Sequence, residues 1–440
     1  MKEKETRIKA KGIIPNGLGG ASIAMSYMVI SNLMYALTEG YGMAAVTVGI
    51  IFLVSRIFDG FTDIVAGFII DRTNTKWGKA RPFDLASIPL WIFVVLSFSV
   101  PNFNTVGKIV WVFLTYNLCQ SVFYTLINGA VAVRLKRSFR EEVRVKVTSA
   151  AALIAAIISM MVGVIFPILV GFFRNHPYGW TIISSCFAVP AILMSLTQFF
   201  FLKEMEDDGE KKEPEKISFL ESVKLLFKNP YIFISCAAFT GLSIINGSSS
   251  VSSYYFTYIM GDISLASIVG LVTMIGMFFV VVMSPLAKRF GNKGTAMIGF
   301  ALLAVFHLAK LIMGTNLIWL AICTVFAACG SVFVSGMKGI IIIDCMEYGY
   351  RKSGKQVEGL YASMGGLVDK LGLGLGSFLM GAILELGGYD GSLTVQSASA
   401  NFSISFVYAI LPAICGLIGF LIMLFYKEKI VKGTPNTVEL

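Results

Sequence analysis

Residues 55–83 read SRIFDGFTDIVAGFIIDRTNTKWGKARPF, an apolar stretch that contains two aspartates and ends in a basic segment. Asp59 and Asp63 are four residues apart, so a helix places both carboxylates on one face, about 6 Å apart along its axis. A charged side chain at the centre of a membrane-spanning helix costs about 2.5–3.5 kcal/mol. Two acidic side chains in one apolar helix therefore indicate an ion or proton pathway.

The composition of the whole chain indicates a membrane protein. Of its 440 residues, 56% are hydrophobic and 14% are charged, whereas about a quarter of the residues in soluble domains are charged. Apolar runs of about 20 residues recur along the sequence, which matches the thickness of a bilayer core. Because these runs are continuous, they favour helices over barrel strands, in which apolar and polar residues alternate. We predict an all-α membrane protein.

The apolar runs predict twelve transmembrane helices in two six-helix halves, separated by a charged linker. The spans, numbered in chain order, cover residues 14–38, 42–70, 80–101, 107–134, 147–172, 178–203, 229–259, 265–288, 293–313, 316–345, 357–387 and 402–427. The corresponding domains are an N-terminal six-helix bundle (1–203), a cytoplasmic linker (204–228), a C-terminal six-helix bundle (229–427) and a cytoplasmic tail (428–440).

The basic residues predict how the chain is oriented. Most of the 36 Lys and Arg residues lie in the N-terminal segment, the even-numbered connections and the C-terminal segment. By the positive-inside rule these parts face the cytoplasm, so we expect a multi-pass protein of the cell inner membrane with both termini cytoplasmic. The net charge of +10 follows from this orientation and does not indicate nucleic-acid binding. The chain contains no GxxxxGK[ST] phosphate loop, which argues against an ATP-driven pump.

Span 2 supplies a candidate cation site. Asp59 and Asp63 offer carboxylate oxygens, while Thr62 and, from span 4, Thr125 add the neutral oxygens that a hard cation such as Na⁺ favours. A proton on one carboxylate would serve in place of Na⁺, and the two aspartates are metal ligands only if Na⁺ is the coupling ion. The alternative is that Arg56 neutralises the aspartates as a structural salt bridge, although one Arg cannot balance two carboxylates.

Further charges lie in predicted spans 10 and 11. Lys370 follows Asp369 in a glycine-rich stretch that allows neighbouring helices to approach closely. Lys370 is a candidate counter-charge for the span-2 carboxylates, and Arg56, within span 2 itself, is a second candidate. The alternative for Lys370 is a static pair with Asp369. Lys338 and Asp369 are candidate substrate ligands, and the alternative for Lys338 is that it extends to the cytoplasmic edge of the membrane.

These motifs resemble the glycoside–pentoside–hexuronide:cation symporters, the branch of the major facilitator superfamily that includes melibiose and glucuronide permeases. Residues 55–83 are similar to that family's span-2 signature and basic loop, and PLAKRFGNKG (285–294) occupies the matching loop between spans 8 and 9. YYFTYIMGD, DCMEYGY and LVDKLG extend the likeness through the second half. The resemblance implies the major facilitator fold. It places the family's coupling aspartates on Asp59 and Asp63, its span-4 threonine on Thr125 and its span-11 lysine on Lys370.

The sugar-binding positions differ from those of melibiose-type members. The span-1 stretch GLGGASIAMSY lacks their aspartate, Asn128 stands where melibiose permease has an aspartate, and Leu153 lies near the position of its sugar-binding arginine. These differences favour a uronide or another glycoside over a galactoside. Tyr124 and Asn128 are the candidate sugar contacts, because aromatic faces pack on sugar rings and amides bond hydroxyl groups.

These features predict a secondary active transporter that is not an enzyme and that carries a sugar, glycoside or uronide together with a cation by alternating access. We expect Na⁺ or H⁺ as the coupling cation, no other cofactor, a monomer in the bilayer and no nucleic-acid partner. The alternatives are an exporter or lipid flippase on the same scaffold, or a membrane enzyme with a carboxylate-bound metal. An enzyme of that kind predicts acids near a membrane face, whereas Asp59 and Asp63 lie well before the basic loop.

Replacing Asp59 or Asp63 by Asn removes a carboxylate from the candidate cation site. We expect either variant to lose gradient-driven accumulation of sugar and to retain downhill entry or exchange, because the sugar contacts lie elsewhere. Transport into membrane vesicles with and without an imposed cation gradient measures both activities. Full accumulation by both variants would show that these aspartates do not couple transport to a cation.

Overall fold

The structure, a computed structural model, describes residues 2–139, 141–204, 224–313, 315–354 and 358–432. Helices account for most of these ranges, and no β-strand is formed within them. Residues 205–223 of the predicted linker and 433–440 of the predicted tail lie outside the described residues.

The helices of the first half follow predicted spans 1 to 6. In chain order they are Lys2–Ile30 and Leu33–Tyr41 (span 1), Ala45–Arg72 (span 2), Arg81–Ala86 and Ser87–Ser97 (span 3), Thr105–Asn117, Leu118–Tyr124 and Thr125–Ser138 (span 4), Glu141–Phe173 (span 5) and Gly179–Phe201 (span 6). The first helix begins at Lys2, whereas the prediction began at residue 14, because its charged first turns continue the helix beyond the apolar run.

The helices of the second half follow spans 7 to 12. They are Pro230–Gly247, Val251–Tyr254 and Tyr255–Ile259 (span 7), Leu265–Phe278 and Val280–Ala309 (spans 8 and 9), Leu317–Ser353 (span 10), Glu358–Leu386 (span 11), and Ala398–Ser405, Phe406–Ile410 and Leu411–Leu424 (span 12), before the short helix Glu428–Lys432. Spans 8 and 9 are separated within Val280–Ala309 by a kink at Gly291, where φ is 77°.

Within the described ranges, nine helices are long and apolar enough to cross a membrane. Some predicted spans are not among these nine; the helix Ser87–Ser97 of span 3, for example, has only 11 residues and continues from the 3₁₀ helix before it. The structure therefore supports a multi-pass helical protein, and the number twelve stays a prediction.

Several helices begin where the sequence provides a capping side chain. Asn104, Asn229, Asn316 and Ser397 each accept a hydrogen bond from a backbone N–H in the first turn of the helix that follows. Such a side chain satisfies one of the N–H groups that a helix leaves unpaired at its start. These caps fix where spans 4, 7, 10 and 12 begin.

Three spans contain a π-helical segment within the described residues. The segments are Leu118–Tyr124 in span 4, Tyr255–Ile259 in span 7 and Phe406–Ile410 in span 12. A π-helix is rare and is frequently found at functional sites, because its wider turn shifts the register of the side chains that follow. In span 4 this shift lies directly before Thr125 and Asn128, two of the candidate site residues.

Spans 7 and 11 approach each other through glycines, as the glycine-rich stretch of span 11 predicts. A Cβ atom on Gly376 would lie 2.2 Å from the carbonyl oxygen of Ile244, and one on Gly247 would lie 2.1 Å from that of Leu373. Neither position has room for a side chain. This close packing brings the middle of span 11, including Asp369, next to Ser243 of span 7.

A carboxylate ties the end of span 6 to the loop between spans 2 and 3. Glu204 accepts hydrogen bonds from the backbone N–H groups of Lys79, Ala80 and Arg81 at 2.9, 2.8 and 2.7 Å. Gly78, at φ 115°, brings the loop so close that a Cβ atom there would lie 2.5 Å from the Glu204 carboxyl carbon. Three N–H groups on one carboxylate hold the C-terminal end of span 2 against span 6.

The second half repeats this arrangement at the end of span 12. Glu428 accepts hydrogen bonds from the backbone N–H groups of Asn292 and Lys293 at 2.8 and 3.2 Å. Gly291 has φ 77°, and a Cβ atom there would lie 2.6 Å from a Glu428 oxygen. We call the Glu204 and Glu428 arrangements the two carboxylate clasps. Each glutamate follows a lysine at the end of a predicted six-helix half, as an internal duplication would produce.

Contacts divide the chain into two compact units. Unit 1 comprises Met1–Glu210, Gly261–Ser267 and Asp390–Gln396, and unit 2 comprises Lys211–Met260, Ile268–Tyr389 and Ser397–Leu440. Trp91, Phe98 and Phe166 are among the fully buried side chains of unit 1. In unit 2 the core forms around Phe239, Phe300 and Tyr426.

Replacing Gly78 by Ala should destabilise the fold by about 1–3 kcal/mol, because the added Cβ meets the Glu204 carboxylate and the positive φ strains an L side chain. Gly163→Ala is the matched control, since a Cβ there, on the helix of span 5, meets nothing within 4 Å. Thermal unfolding of the purified variants in detergent measures both effects. Equal melting temperatures for the two variants would contradict the clasp at Glu204.

Candidate functional site

Asp59 is buried inside unit 1, with 2% of its surface exposed. Arg56, one turn earlier on the same helix, donates a hydrogen bond from Nη1 to Asp59 Oδ2 at 2.9 Å. The guanidinium also lies 6.0 Å from the centre of the Tyr116 ring, which stacks on Phe52. The spacing of Arg56 and Asp59 on a helix brings the two charges together, and the aromatic side chains surround the pair with apolar surface.

The other oxygen of Asp59 faces span 4. The hydroxyl of Ser121 donates to Asp59 Oδ1, so each carboxylate oxygen has a donor. Ser121 Oγ also lies 3.1 Å from Asn117 Oδ1, and Asn117 Nδ2 donates to Ser55 Oγ at 2.8 Å. A buried polar network therefore joins spans 2 and 4 through Ser55, Asn117, Ser121 and Asp59.

The other predicted cation ligands have different surroundings. Asp63 is exposed, whereas Asp59 is buried. The Thr62 hydroxyl donates to the carbonyl oxygen of Asp59 at 3.1 Å, and the Thr125 hydroxyl donates to that of Gln120 at 3.3 Å. Both threonines thus bond the backbone of their own span and keep oxygen lone pairs for a further partner. Within the described residues, no group of three or more His, Cys, Asp or Glu side chains is placed to hold a metal ion.

The π-helical segment of span 4 carries polar groups that the sequence interpretation missed. Gln120 is 2% exposed, and its side-chain oxygen has no hydrogen-bond partner among the described residues. Such a buried acceptor costs free energy until a donor reaches it. Tyr124, at the end of the segment, is half-buried and Asn128, one turn later, is exposed. This part of span 4 thus combines an unsatisfied acceptor with the two predicted sugar contacts.

A second polar cluster lies in unit 2. Lys338 of span 10 forms an ion pair with Asp369 of span 11, and Ser243 of span 7 donates to the same Asp369 oxygen at 2.7 Å. The Lys338 ammonium also lies 3.4 Å from the carbonyl oxygen of Gly365. Two of the predicted substrate residues therefore meet each other, and the partner of Asp369 is Lys338 rather than the adjacent Lys370. The expectation that Lys370 meets the span-2 carboxylates concerns both units and stays a prediction.

The residues that the sequence did not point to are polar but uncharged. They lie in apolar runs, where a single hydroxyl or amide is common and does not indicate which residue it contacts. These residues are Ser55, Asn117, Gln120 and Ser121. One signal was available, since Asn117, Gln120 and Ser121 lie within five residues of a span that also holds Thr125. Polar side chains clustered on one stretch of a membrane span indicate a cavity or a helix contact.

A known protein family and several known proteins resemble this chain over most of its length. The profile of the family described as MFS/sugar transport protein matches residues 15–428. The isoprimeverose transporter of Lactiplantibacillus pentosus is 30% identical over 416 residues, which cover 92% of this chain and 85% of that protein. The glucuronide carrier protein homolog of Escherichia coli strain K12 is 28% identical over 416 residues, covering 92% of this chain and 89% of that protein.

A solved structure shares the fold. The crystal structure of a D-xylose–proton symporter superposes with a TM-score of 0.68 at 14% sequence identity, covering 96% of this chain and 99% of that chain. At this identity the likeness concerns the fold alone.

The ion pair of Lys338 and Asp369 should behave as one unit in a double-mutant cycle. We expect Lys338→Met and Asp369→Asn each to lower thermal stability, and the double variant to lose less than their sum, with a coupling of about 0.5–3 kcal/mol. The exposed pair Glu347 and Arg351, 3.9 Å apart, is the matched control and should couple by about 0.2–1 kcal/mol at most. Additive losses at Lys338 and Asp369 would contradict the pairing.

Proposed function

Because this chain belongs to the glycoside–pentoside–hexuronide:cation symporters of the major facilitator superfamily, we propose that it imports a sugar, glycoside or uronide together with a cation. The observation that carries this proposal is the buried Asp59, whose carboxylate lies between Arg56 and Ser121 in the middle of an apolar helix. A charge in this position indicates an ion or proton pathway. We further propose that the protein works as a monomer in the inner membrane with cytoplasmic termini and performs no covalent chemistry.

The substrate class follows from the relatives and from the polar groups of each unit. The two relatives described above are named for isoprimeverose and for a glucuronide, both within the sugar and glycoside class. In unit 1, Tyr124 offers an aromatic face and Asn128 an amide to sugar hydroxyls. In unit 2, Lys338 and Asp369 offer one donor group and one acceptor group, and Lys338 suits the carboxylate of a uronide.

The contacts of Asp59 favour H⁺ over Na⁺ as the coupling cation. Na⁺ binds oxygen lone pairs, so it would have to displace Arg56 from Oδ2 or Ser121 from Oδ1. A proton adds directly to Oδ1 if the Ser121 hydroxyl turns to accept it. We therefore propose H⁺ at Asp59, with the exposed Asp63 as the second carboxylate of the pathway.

The transport cycle that we propose couples the two ligands by their effect on one conformational equilibrium. Cation binding at Asp59 removes its negative charge, loosens its contacts with Arg56 and Ser121, and raises the affinity for sugar. By thermodynamic linkage, sugar raises the affinity for the cation by the same factor. The two halves then expose the loaded site to the other side of the membrane. Their clasps at Glu204 and Glu428 keep the cytoplasmic end of each half together during this movement.

Uptake of labelled sugar into proteoliposomes tests the proposal. We expect isoprimeverose or a methyl glucuronide to accumulate when the outside is made acidic, and to equilibrate without accumulating when no gradient is imposed. Liposomes without protein and liposomes with the Asp59→Asn variant are the controls. Accumulation driven by a Na⁺ gradient alone would show that Na⁺, and not H⁺, is the coupling cation. Lack of accumulation under every gradient, with folded protein and with exchange of sugar intact, would contradict symport.

A further inference from the structure

Ser121 lies between two hydrogen-bond acceptors and can satisfy only one of them. Its side chain is fully buried, and its oxygen contacts both Asp59 Oδ1 and Asn117 Oδ1, the latter at 3.1 Å. A serine hydroxyl carries a single O–H donor. When it donates to one of these oxygens, the other loses its donor.

Within the described residues, no second donor reaches the side-chain oxygen of Asn117. Its amide nitrogen donates to the carbonyl oxygen of Phe113 at 2.7 Å and to Ser55 Oγ at 2.8 Å. The contact with a carbonyl, which only accepts, assigns the nitrogen to that side and leaves Oδ1 facing Ser121. In the part of the chain that the structure describes, Ser121 is the one donor that reaches this oxygen.

The charge of Asp59 decides which acceptor receives the hydroxyl proton. A hydrogen bond to an ionised carboxylate is roughly twice as strong as one to a neutral amide oxygen, so Ser121 donates to Asp59 while the aspartate carries its charge. A cation bound at Asp59 removes that preference, and the hydroxyl then turns to Asn117. The direction of one buried hydrogen bond thus reports whether the cation site is occupied.

The turn of Ser121 exchanges a charge-assisted hydrogen bond between two helices for a hydrogen bond within one helix. Its bond to Asp59 joins spans 2 and 4, whereas its bond to Asn117 runs along span 4 by one turn. Asn117 ends the α-helix Thr105–Asn117, and Ser121 lies within the π-helical segment Leu118–Tyr124. The exchange therefore occurs across the point where the register of span 4 changes, directly before Tyr124 and Asn128.

We propose that Ser121 is the positioning residue that transmits cation occupancy of Asp59 to the sugar-contact part of span 4. This inference rests on the proposed symport function and assigns its coupling step to one hydroxyl. With the cation absent, Ser121 holds the π-helical segment against span 2. With the cation bound, the charge-assisted hydrogen bond from Ser121 to Asp59 is lost, which weakens the contact of span 4 with span 2, and Tyr124 and Asn128 take the positions that bind sugar.

The test compares the coupling between the two ligands in purified full-length variants. Binding of a methyl glucuronide or of isoprimeverose is measured by calorimetry at acidic and alkaline pH, with and without NaCl. In the wild type we expect the dissociation constant of the sugar to change by about 5–150-fold with the cation. Ser121→Ala should reduce this change to less than about 2-fold while sugar exchange continues, and Ser121→Thr should restore it.

Two further variants separate this role from a structural one. Ser184→Ala removes another fully buried hydroxyl of unit 1, which donates only to backbone carbonyls, and should keep the wild-type coupling. Asn117→Ala removes the second acceptor but keeps the contact between Ser121 and Asp59, so it should lose coupling as Ser121→Ala does. If Ser121→Ala does not fold, the role of Ser121 is tested by the other two variants: Asn117→Ala should lose the coupling and Ser121→Thr should keep it.

The outcomes distinguish this inference from the proposed function. Wild-type coupling in Ser121→Ala or in Asn117→Ala overturns the role of Ser121 and leaves symport intact. A wild-type protein whose sugar affinity is unaffected by either cation contradicts symport itself.

Discussion

The carboxylate of Asp59 is the charge on which the arrangement of the first unit depends. An ionised group in an apolar span is tolerated only when donors surround it, and here both of its oxygens have one. Arg56 supplies the opposite charge from the same helix, and Ser121 ties the carboxylate to span 4. Since Ser121 also faces Asn117, the electrostatics of a single carboxylate extend into the helix that carries the candidate sugar contacts. In the cycle that we propose, a cation that neutralises Asp59 changes the hydrogen bonds of Arg56, Ser121 and Asn117.

In the first half, the clasp at Glu204 lies at the end of span 2, whereas the buried network lies in the interior of spans 2 and 4. Glu204 holds the loop that follows span 2 through three backbone N–H groups, and Glu428 holds the corresponding loop of the second half through two. The interior of span 4, by contrast, contains a π-helical segment, a shared hydroxyl proton and the unsatisfied oxygen of Gln120. Rigid ends and an adjustable interior are what a helix bundle needs if it moves as a body while responding locally to its ligands.

The sequence predicted the parts of this structure that follow from local chemistry. Apolar runs located the helices, and the glycines of span 11 predicted its close packing. The i,i+3 spacing indicated the salt bridge of Arg56 with Asp59, which was the alternative to a cation site. The contact of Asp59 with Ser121 and that of Lys338 with Asp369 join different spans, and no spacing along one helix reveals them. The π-helical segments were also not predicted, because an extra residue in a turn leaves the apolar pattern of a span unchanged. Glu204 was assigned to a polar linker, since its partners are backbone N–H groups that every loop offers.

The most direct test of the central claim is whether protons enter with the sugar at Asp59. Proteoliposomes in a weakly buffered medium are given isoprimeverose or a methyl glucuronide while a pH electrode follows the outside solution. We expect the medium to become alkaline as wild-type protein takes up sugar, and its pH to stay constant with Asp59→Asn although sugar still equilibrates. Entry of sugar through the wild type with neither a pH change nor uptake of Na⁺ would contradict the coupling of Asp59 to transport.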